Sequence, residues 1–192
     1  QEEGSRLKKS TWDNMRKSIL GYVNFQCAED IDMVFSFLLM QSLGNLKAWC
    51  AEFAGTITDP DAAVEFVVQE TPNVIPTYAR QPDVVKRLFD GVLGVNSHFK
   101  LSTLPRAEAV RGSVSTLEDL VNRWGADSKS SGALGFYIFT EFLHVCGVKA
   151  TPEPNGSATM TESAWLDIKL AIDALSHLPK KKSAEYVLNY IY

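Results

Sequence analysis

Residues 133–147 read ALGFYIFTEFLHVCG, a stretch that is apolar at almost every position. A helix that is apolar on every side lies in the interior of a bundle rather than on its surface. The stretch follows the polar residues 127–132 and ends at Gly147, a residue type that commonly terminates helices. We therefore predict that residues 133–146 form a central helix on which the rest of the chain packs.

On either side of this stretch, apolar residues recur at steps of three and four, the spacing that places side chains on one face of a helix. Alternation typical of strands is nearly absent. The clearest helix starts are Asp59-Pro60, Thr161 and Ser183, and Ser10 with Asp13 resembles a capping box. Gly94 is expected to end a helix, and residues 95–104 to form a long loop. The pattern predicts an all-α fold, an irregular multi-helix bundle of eight or nine helices around the central one.

The length and composition indicate one globular domain. The chain has 192 residues, of which 45% are hydrophobic and 22% charged, as in ordinary soluble proteins. Residues 148–160 are rich in proline and polar residues and offer a sub-boundary before a C-terminal helical hairpin over 161–192. We predict a single helical domain over 1–192 with this sub-boundary as its one candidate division.

The charge balance argues against nucleic-acid binding, although a local basic patch could still bind, and the apolar runs are too short for a membrane span. Nineteen Lys and Arg face 23 Asp and Glu, a net charge of −4, whereas nucleic-acid-binding domains usually carry a basic excess. No run reaches the roughly 18 apolar residues of a membrane span. The longest runs, 33–40 and 132–147, are predicted to be buried helices.

The chain start and the cysteines bear on localisation. Gln1 in place of Met indicates a processed or excised chain, so an organellar location stays open. Three cysteines, Cys27, Cys50 and Cys146, do not form the even, closely spaced set of a disulfide framework. This favours an intracellular, reducing compartment.

No motif of enzyme chemistry is present. The histidines His98, His144 and His177 lie far apart, without the paired spacing of metal ligands, so we predict no metal and no cofactor. Nucleophile elbows, phosphate-binding glycine loops and dinucleotide fingerprints are also absent. Whether Cys50, Cys146 and His144 share a cavity stays open. The sequence favours a protein that is not an enzyme.

Glu141 and His144 are the candidates for acid–base chemistry. They lie three positions apart on the central helix, which places both side chains on the same side. A carboxylate beside an imidazole raises its pKa and orients one ring nitrogen, as a general base requires. The alternative is a core histidine whose ring nitrogens are hydrogen-bonded.

Two basic clusters and the C-terminal helix are the candidate binding elements. The basic residues are Arg6, Lys8, Lys9, Lys180, Lys181 and Lys182. They could bind phosphate backbones or an anionic surface. The alternative for Lys180, Lys181 and Lys182 is that they follow the C-terminal end of a helix, where the helix dipole favours cations. The last helix, starting at Ser183, carries an apolar and aromatic side formed by Tyr186, Val187, Tyr190 and Ile191. A helix this short needs a surface to cover that side, supplied by its own domain or by a partner.

These observations predict a non-enzymatic helical protein-interaction or assembly module, a subunit or scaffold part of a larger complex. Its partner would be another protein or a second copy of the chain. Two alternatives stay open. One is a helical nucleic-acid-binding protein such as a viral coat or nucleocapsid subunit. The other is an enzyme or cofactor carrier with a site near His144.

Overall fold

A computed structural model describes residues 7–22, 28–106, 111–124, 132–147 and 160–192. These residues hold ten α-helices and no β-strand, which confirms the predicted all-α fold. The helices are α1 Lys9–Leu20, α2 Ala28–Leu43, α3 Lys47–Phe53, α4 Pro60–Glu70, α5 Pro76–Ala79, α6 Asp83–Asn96, α7 Arg111–Trp124, α8 Ala133–Gly147, α9 Glu162–Leu175 and α10 Ala184–Ile191. The described residues hold more helices than the predicted eight or nine. The short α5 lies in a proline-containing stretch, where no helix was predicted.

Three of the predicted helix starts are confirmed by their capping hydrogen bonds. The Asp59 side chain accepts from the Ala62 N–H at 2.8 Å, and Thr161 accepts from Ala164 at 3.2 Å. Ser183 accepts from the Tyr186 N–H at 3.3 Å. These bonds satisfy N–H groups that have no partner inside the helix, so each cap defines where its helix begins.

Two boundary predictions were wrong. Helix α1 already includes Ser10, and its N-cap Lys8 makes no side-chain cap hydrogen bond. Helix α6 continues past Gly94 to Asn96, and the expected loop contains a 3₁₀ turn at Leu101–Thr103. A glycine inside a helix costs only about 1 kcal/mol, which burial of Val95 on the same helix readily offsets.

The chain divides into two compact units. The first unit combines Gln1–Asn24 with Lys100–Tyr192, and the second unit is Phe25–Phe99. The sequence patterns did not indicate these boundaries. The sub-boundary predicted at 148–160 falls almost wholly outside the described residues. Residues 161–192 belong to the first unit together with α7 and α8.

In the second unit, α4 packs against α2, α3 and α6, and α5 packs on α2. Phe37 of α2 meets Phe89 of α6 edge-on, with ring centroids 5.1 Å apart, and both rings are fully buried. The buried Gln41 amide donates to Asp61 Oδ1 at 3.1 Å, so this polar pair is hydrogen-bonded inside an apolar core. Close contact between helices therefore stabilises this unit.

In the first unit, α8 is the buried helix that the sequence predicted. Its residues 133–142 are all buried, so every side of the helix is covered. Helix α7 packs on α8, and α10 packs on both α7 and α9. The Glu162 carboxylate at the start of α9 accepts from the Lys8 N–H and from the Thr11 hydroxyl. That contact fixes α1 against α9.

Candidate functional site

The two sides of α10 have different environments. Val187 is completely buried against the first unit, and Ile191 is half-buried. Tyr186 and Tyr190, by contrast, are 40% and 49% exposed. The four residues predicted to form one side therefore separate, because Val187 and Ile191 hold the helix on its own unit while the two tyrosines, one turn apart, point outward.

His177 lies against both exposed tyrosines. Its ring centroid is 5.2 Å from that of Tyr186 and 4.9 Å from that of Tyr190, with the rings steeply inclined. Edge-on and tilted geometries at these distances are favourable for aromatic rings. The imidazole therefore restricts both phenol rings before any partner binds.

The backbone between α9 and α10 places His177 beside these tyrosines. The Lys180 N–H donates to the His177 carbonyl at 3.0 Å, which tightens the chain into a 3₁₀ turn over Leu178–Lys180. Lys181 then adopts a φ of 58°, the single left-handed non-glycine residue in the described part of the chain. This reversal brings Ser183 to the position where it caps α10.

A cation completes the surface. The Lys182 ammonium lies 4.9 Å from the centre of the Tyr186 ring, within the range of a cation–π interaction. We call the surface formed by His177, Lys182, Tyr186 and Tyr190 the tyrosine face. Lys180 and Lys181 are exposed immediately before it in the chain.

The acidic side chains near this surface already have partners. Glu185 forms an ion pair with Arg111 at 3.3 Å. Glu118 of α7 accepts from the Ala184 N–H at 2.8 Å, an additional cap for α10. The charges of Lys180, Lys181 and Lys182 are thus not neutralised by these carboxylates, and the surface is locally basic on a chain of net charge −4.

The N-terminal basic cluster lies elsewhere in the first unit. Lys8 and Lys9 are exposed at the start of α1, and Lys8 contributes its backbone N–H to Glu162. Arg6 lies outside the described residues. Neither Lys8 nor Lys9 takes part in the ring contacts that define the tyrosine face, so these cations are not part of it.

The acid–base candidates do not behave as expected. Burial and the positive charge of Lys100 lower the pKa of His144, the opposite of the predicted direction. Burial and the charge of the buried Glu141 carboxylate raise the pKa of Tyr137, one turn earlier on α8.

The two described cysteines belong to different units. Cys50 belongs to the second unit, where its thiol donates to the Gly44 carbonyl at 3.2 Å, and Cys146 belongs to the first unit with His144. Cys27 lies outside the described residues. Among the described residues, no group of three or more His, Cys, Asp or Glu side chains could hold a metal ion.

Sequence analysis missed an exposed apolar surface on α2. Ile31, Phe35 and Leu39 follow one another at steps of four and are 44%, 60% and 59% exposed. The run 33–40 was predicted to be buried, which is correct for Phe37 and Met40 and wrong for Phe35 and Leu39. A helix that is apolar all round contains no periodicity from which its outer side could be recognised.

Comparison of the chain with protein-family models, with curated proteins and with solved structures gives no match. Among the described residues, no helix is both long and apolar enough to cross a bilayer.

Proposed function

We propose that this chain is a non-enzymatic protein-interaction module, and that its tyrosine face binds an acidic segment of a partner protein. The observation that carries the proposal is the pair of exposed tyrosines, Tyr186 and Tyr190, held in place by His177. Tyrosine is enriched at protein interfaces because it combines a large apolar ring with a polar hydroxyl.

Restriction of the rings favours binding. Ordering a side chain at an interface costs about 0.5–1.5 kcal/mol, and a ring that is already restricted avoids part of that cost. The Tyr186 ring is contacted by both His177 and Lys182. The centres of the Tyr186 and His177 rings are 5.2 Å apart, and the Lys182 ammonium lies 4.9 Å from the centre of the Tyr186 ring. The tyrosine face is therefore preorganised for a partner.

The local charge selects the partner's chemistry. Lys180, Lys181 and Lys182 are exposed, while Glu185 is paired with Arg111. A positive surface accelerates association with a negative one and rejects a positive one. An acidic peptide segment with apolar or aromatic side chains would match both the lysines and the rings.

A peptide-display selection tests the proposal. Random-sequence peptides displayed on phage are selected on the wild-type chain and, in parallel, on a Tyr186→Ala/Tyr190→Ala variant. We expect peptides enriched in Asp and Glu from the wild type and no such enrichment from the variant. The matched control is Tyr192→Ala, because Tyr192 also lies at the C-terminus but its hydroxyl donates to the Leu104 carbonyl at 2.8 Å.

Two results would overturn the proposal. Selection of the same peptides by the double variant would show that the tyrosines do not contribute. Binding of oligothymidylate that falls steeply with salt and is lost in the double variant would favour the nucleic-acid alternative, because aromatic rings beside lysines also stack on bases.

A further inference from the structure

The first unit contains a cavity that lies apart from the tyrosine face. Its volume is about 570 Å³, within the range of about 300–1,000 Å³ typical of small-molecule sites. The walls come from the end of α1, from α7, from the start of α8 and from one side of α9. The described lining residues are Ser18, Gly21, Tyr22, Val121, Gly132, Ala133, Leu134, Gly135, Trp165, Lys169, Ile172, Asp173, Ser176, Pro179 and Lys180.

Small residues at the start of α8 contribute to the open space. Gly132, Ala133, Leu134 and Gly135 line the cavity in one short stretch, and three of the four have a side chain no larger than a methyl group. Other lining residues have larger side chains, including Trp165 and Ile172, which are both buried in the first unit. This part of the cavity suits an apolar body.

The lining residues of α9 form a single stripe along the helix. The lining residues of α9 recur at steps of three, four or one, which places them all on one side of the helix. They are Trp165, Lys169, Ile172, Asp173 and Ser176. From Trp165 to Ser176 the helix rises about 17 Å, which is long enough for an extended molecule of two or three fused or linked rings. The cavity is therefore elongated along α9.

Polar groups lie towards the carboxyl end of this stripe. Lys169 and Asp173 form an ion pair of 2.6 Å, and the Ser176 hydroxyl donates to the Asp173 carbonyl at 2.6 Å. Burial and the charge of the Asp173 carboxylate raise the pKa of the Tyr22 phenol. Its hydroxyl therefore keeps its proton and can donate a hydrogen bond.

Lys180 supplies the charge that the other groups leave unmatched. Lys169 and Asp173 compensate each other, whereas Lys180 lines the cavity and makes no ion pair with any described residue. A ligand that places one negative charge at this end and an apolar body towards Trp165 would match both the charge of Lys180 and the apolar lining. Neither a cation nor a purely apolar molecule would match the Lys180 ammonium.

We propose that this cavity binds a small amphipathic organic anion, with its carboxylate or sulfonate at Lys180 and Tyr22 and its apolar body between α8 and Trp165. Neither tyrosine of the tyrosine face lines the cavity, so the anion site does not depend on those rings. Lys180 is common to the cavity and to the basic residues of the proposed partner-binding surface.

A matched pair of dyes tests the proposal on the full chain. Anilinonaphthalene sulfonate is an anion, and phenylnaphthylamine has the same aromatic frame without the charge. We expect one anionic dye per chain, with energy transfer from tryptophan that falls in Trp165→Phe. Lys180→Gln should weaken binding of the anion about three- to fivefold, as for a solvent-accessible ion pair, and leave the neutral dye unchanged. Lys181→Gln, next in the chain but outside the cavity, should change neither.

A filling variant controls for binding at other apolar surfaces. Ser18→Phe places a ring in the cavity and should weaken both dyes at least about tenfold, an effect expected from steric exclusion. The matched control is Asn14→Phe, one turn earlier on α1 and outside the cavity. If Ser18→Phe leaves dye binding unchanged, the cavity is not the site. If Lys180→Gln weakens the two dyes equally or not at all, the site does not select anions. Either result overturns the proposal.

Discussion

At the scale of the residue, two phenylalanines of α2 occupy opposite environments. Phe37 is completely buried and meets Phe89, whereas Phe35 is 60% exposed. Phe37→Ala should lower the free energy of unfolding by about 3–5 kcal/mol, the usual cost of removing a buried phenylalanine. Phe35→Ala should change it by less than about 0.5 kcal/mol, as at other surface positions. Urea denaturation of the two variants measures the difference.

These two variants are each other's control, because the substitution and the helix are the same. Similar losses of stability for both would show that α2 is rotated relative to the orientation described here. The sequence could not distinguish the two phenylalanines, since residues on both sides of α2 are apolar. Their assignment depends on which neighbours α4 and α5 bring to the helix.

A second prediction concerns the Cys146 thiol. Burial raises its pKa to about 11 from an ordinary value of 9.0. The reactive form is the thiolate, and a pKa about two units higher lowers the thiolate fraction at about pH 8 roughly a hundredfold. In a Cys27→Ser/Cys50→Ser background, alkylation of Cys146 by iodoacetamide should be slower than for the same chain unfolded in guanidinium. Equal rates in the folded and unfolded chain would contradict the burial.

At the scale of the element, the turn between α2 and α3 requires glycine. A Cβ added at Gly44 would lie 2.1 Å from the Pro60 carbonyl oxygen, which is backbone and cannot move independently. Gly44→Ala should therefore cost at least about 2 kcal/mol of unfolding free energy. Gly112→Ala on α7 meets no atom within 4 Å and should be neutral or stabilising by up to about 1 kcal/mol.

Thermal and chemical denaturation of the two glycine variants measures these changes. A Gly44→Ala variant as stable as the wild type would show that the turn does not approach α4. The close contact itself could not be predicted, because Gly44 and Pro60 lie on separate elements. Asp59-Pro60 was predicted as a helix start, which does not indicate how close Pro60 lies to Gly44.

The C-terminal helix shows how far element-scale prediction extends. The start of α10 at Ser183 was predicted and is confirmed by its cap. Which side of α10 is buried and which is exposed was not predicted, because Tyr186 and Val187 are adjacent and both suit a buried or an interface position. Burial of Val187 depends on α7 and α9, which are distant in sequence. Local patterns therefore identify an element more reliably than they identify its outward side.

At the scale of the whole molecule, the low pKa of His144 makes stability depend on pH. Because burial and Lys100 depress this pKa below 6.5, the unfolded chain binds the proton more readily than the folded one. The contribution is present above about pH 6.5 and is lost as the pH falls through the lower folded-state value. His144→Gln should therefore lose less stability than the wild type between about pH 7 and pH 5.

Denaturation midpoints across that range measure the difference. His98→Gln is the control, because His98 is exposed on the surface. An identical pH dependence for wild type and His144→Gln would contradict the assignment. The pKa direction was predicted wrongly from sequence because Glu141 was considered, whereas burial of the imidazole and the charge of Lys100, 44 positions away, were not.

The division into two units was likewise beyond local patterns. Helix type and the capped helix starts at Asp59, Thr161 and Ser183 follow from residues within one or two turns, so they were predicted. The boundaries at Asn24 and Phe99 follow from contacts such as that between Lys8 and Glu162, which are separated by 154 positions. No periodicity in the sequence encodes a contact at that separation.

The discontinuous first unit has a consequence for synthesis on the ribosome. Its α1 emerges early, but Glu162, which holds the start of that helix, is translated 154 residues after Lys8. At about 5–20 residues per second, α1 waits roughly 8–30 s for its partner. The second unit, made of one uninterrupted segment, is complete before that interval ends. During that interval the first helix of a nascent chain is still without the α9 residue that its start contacts.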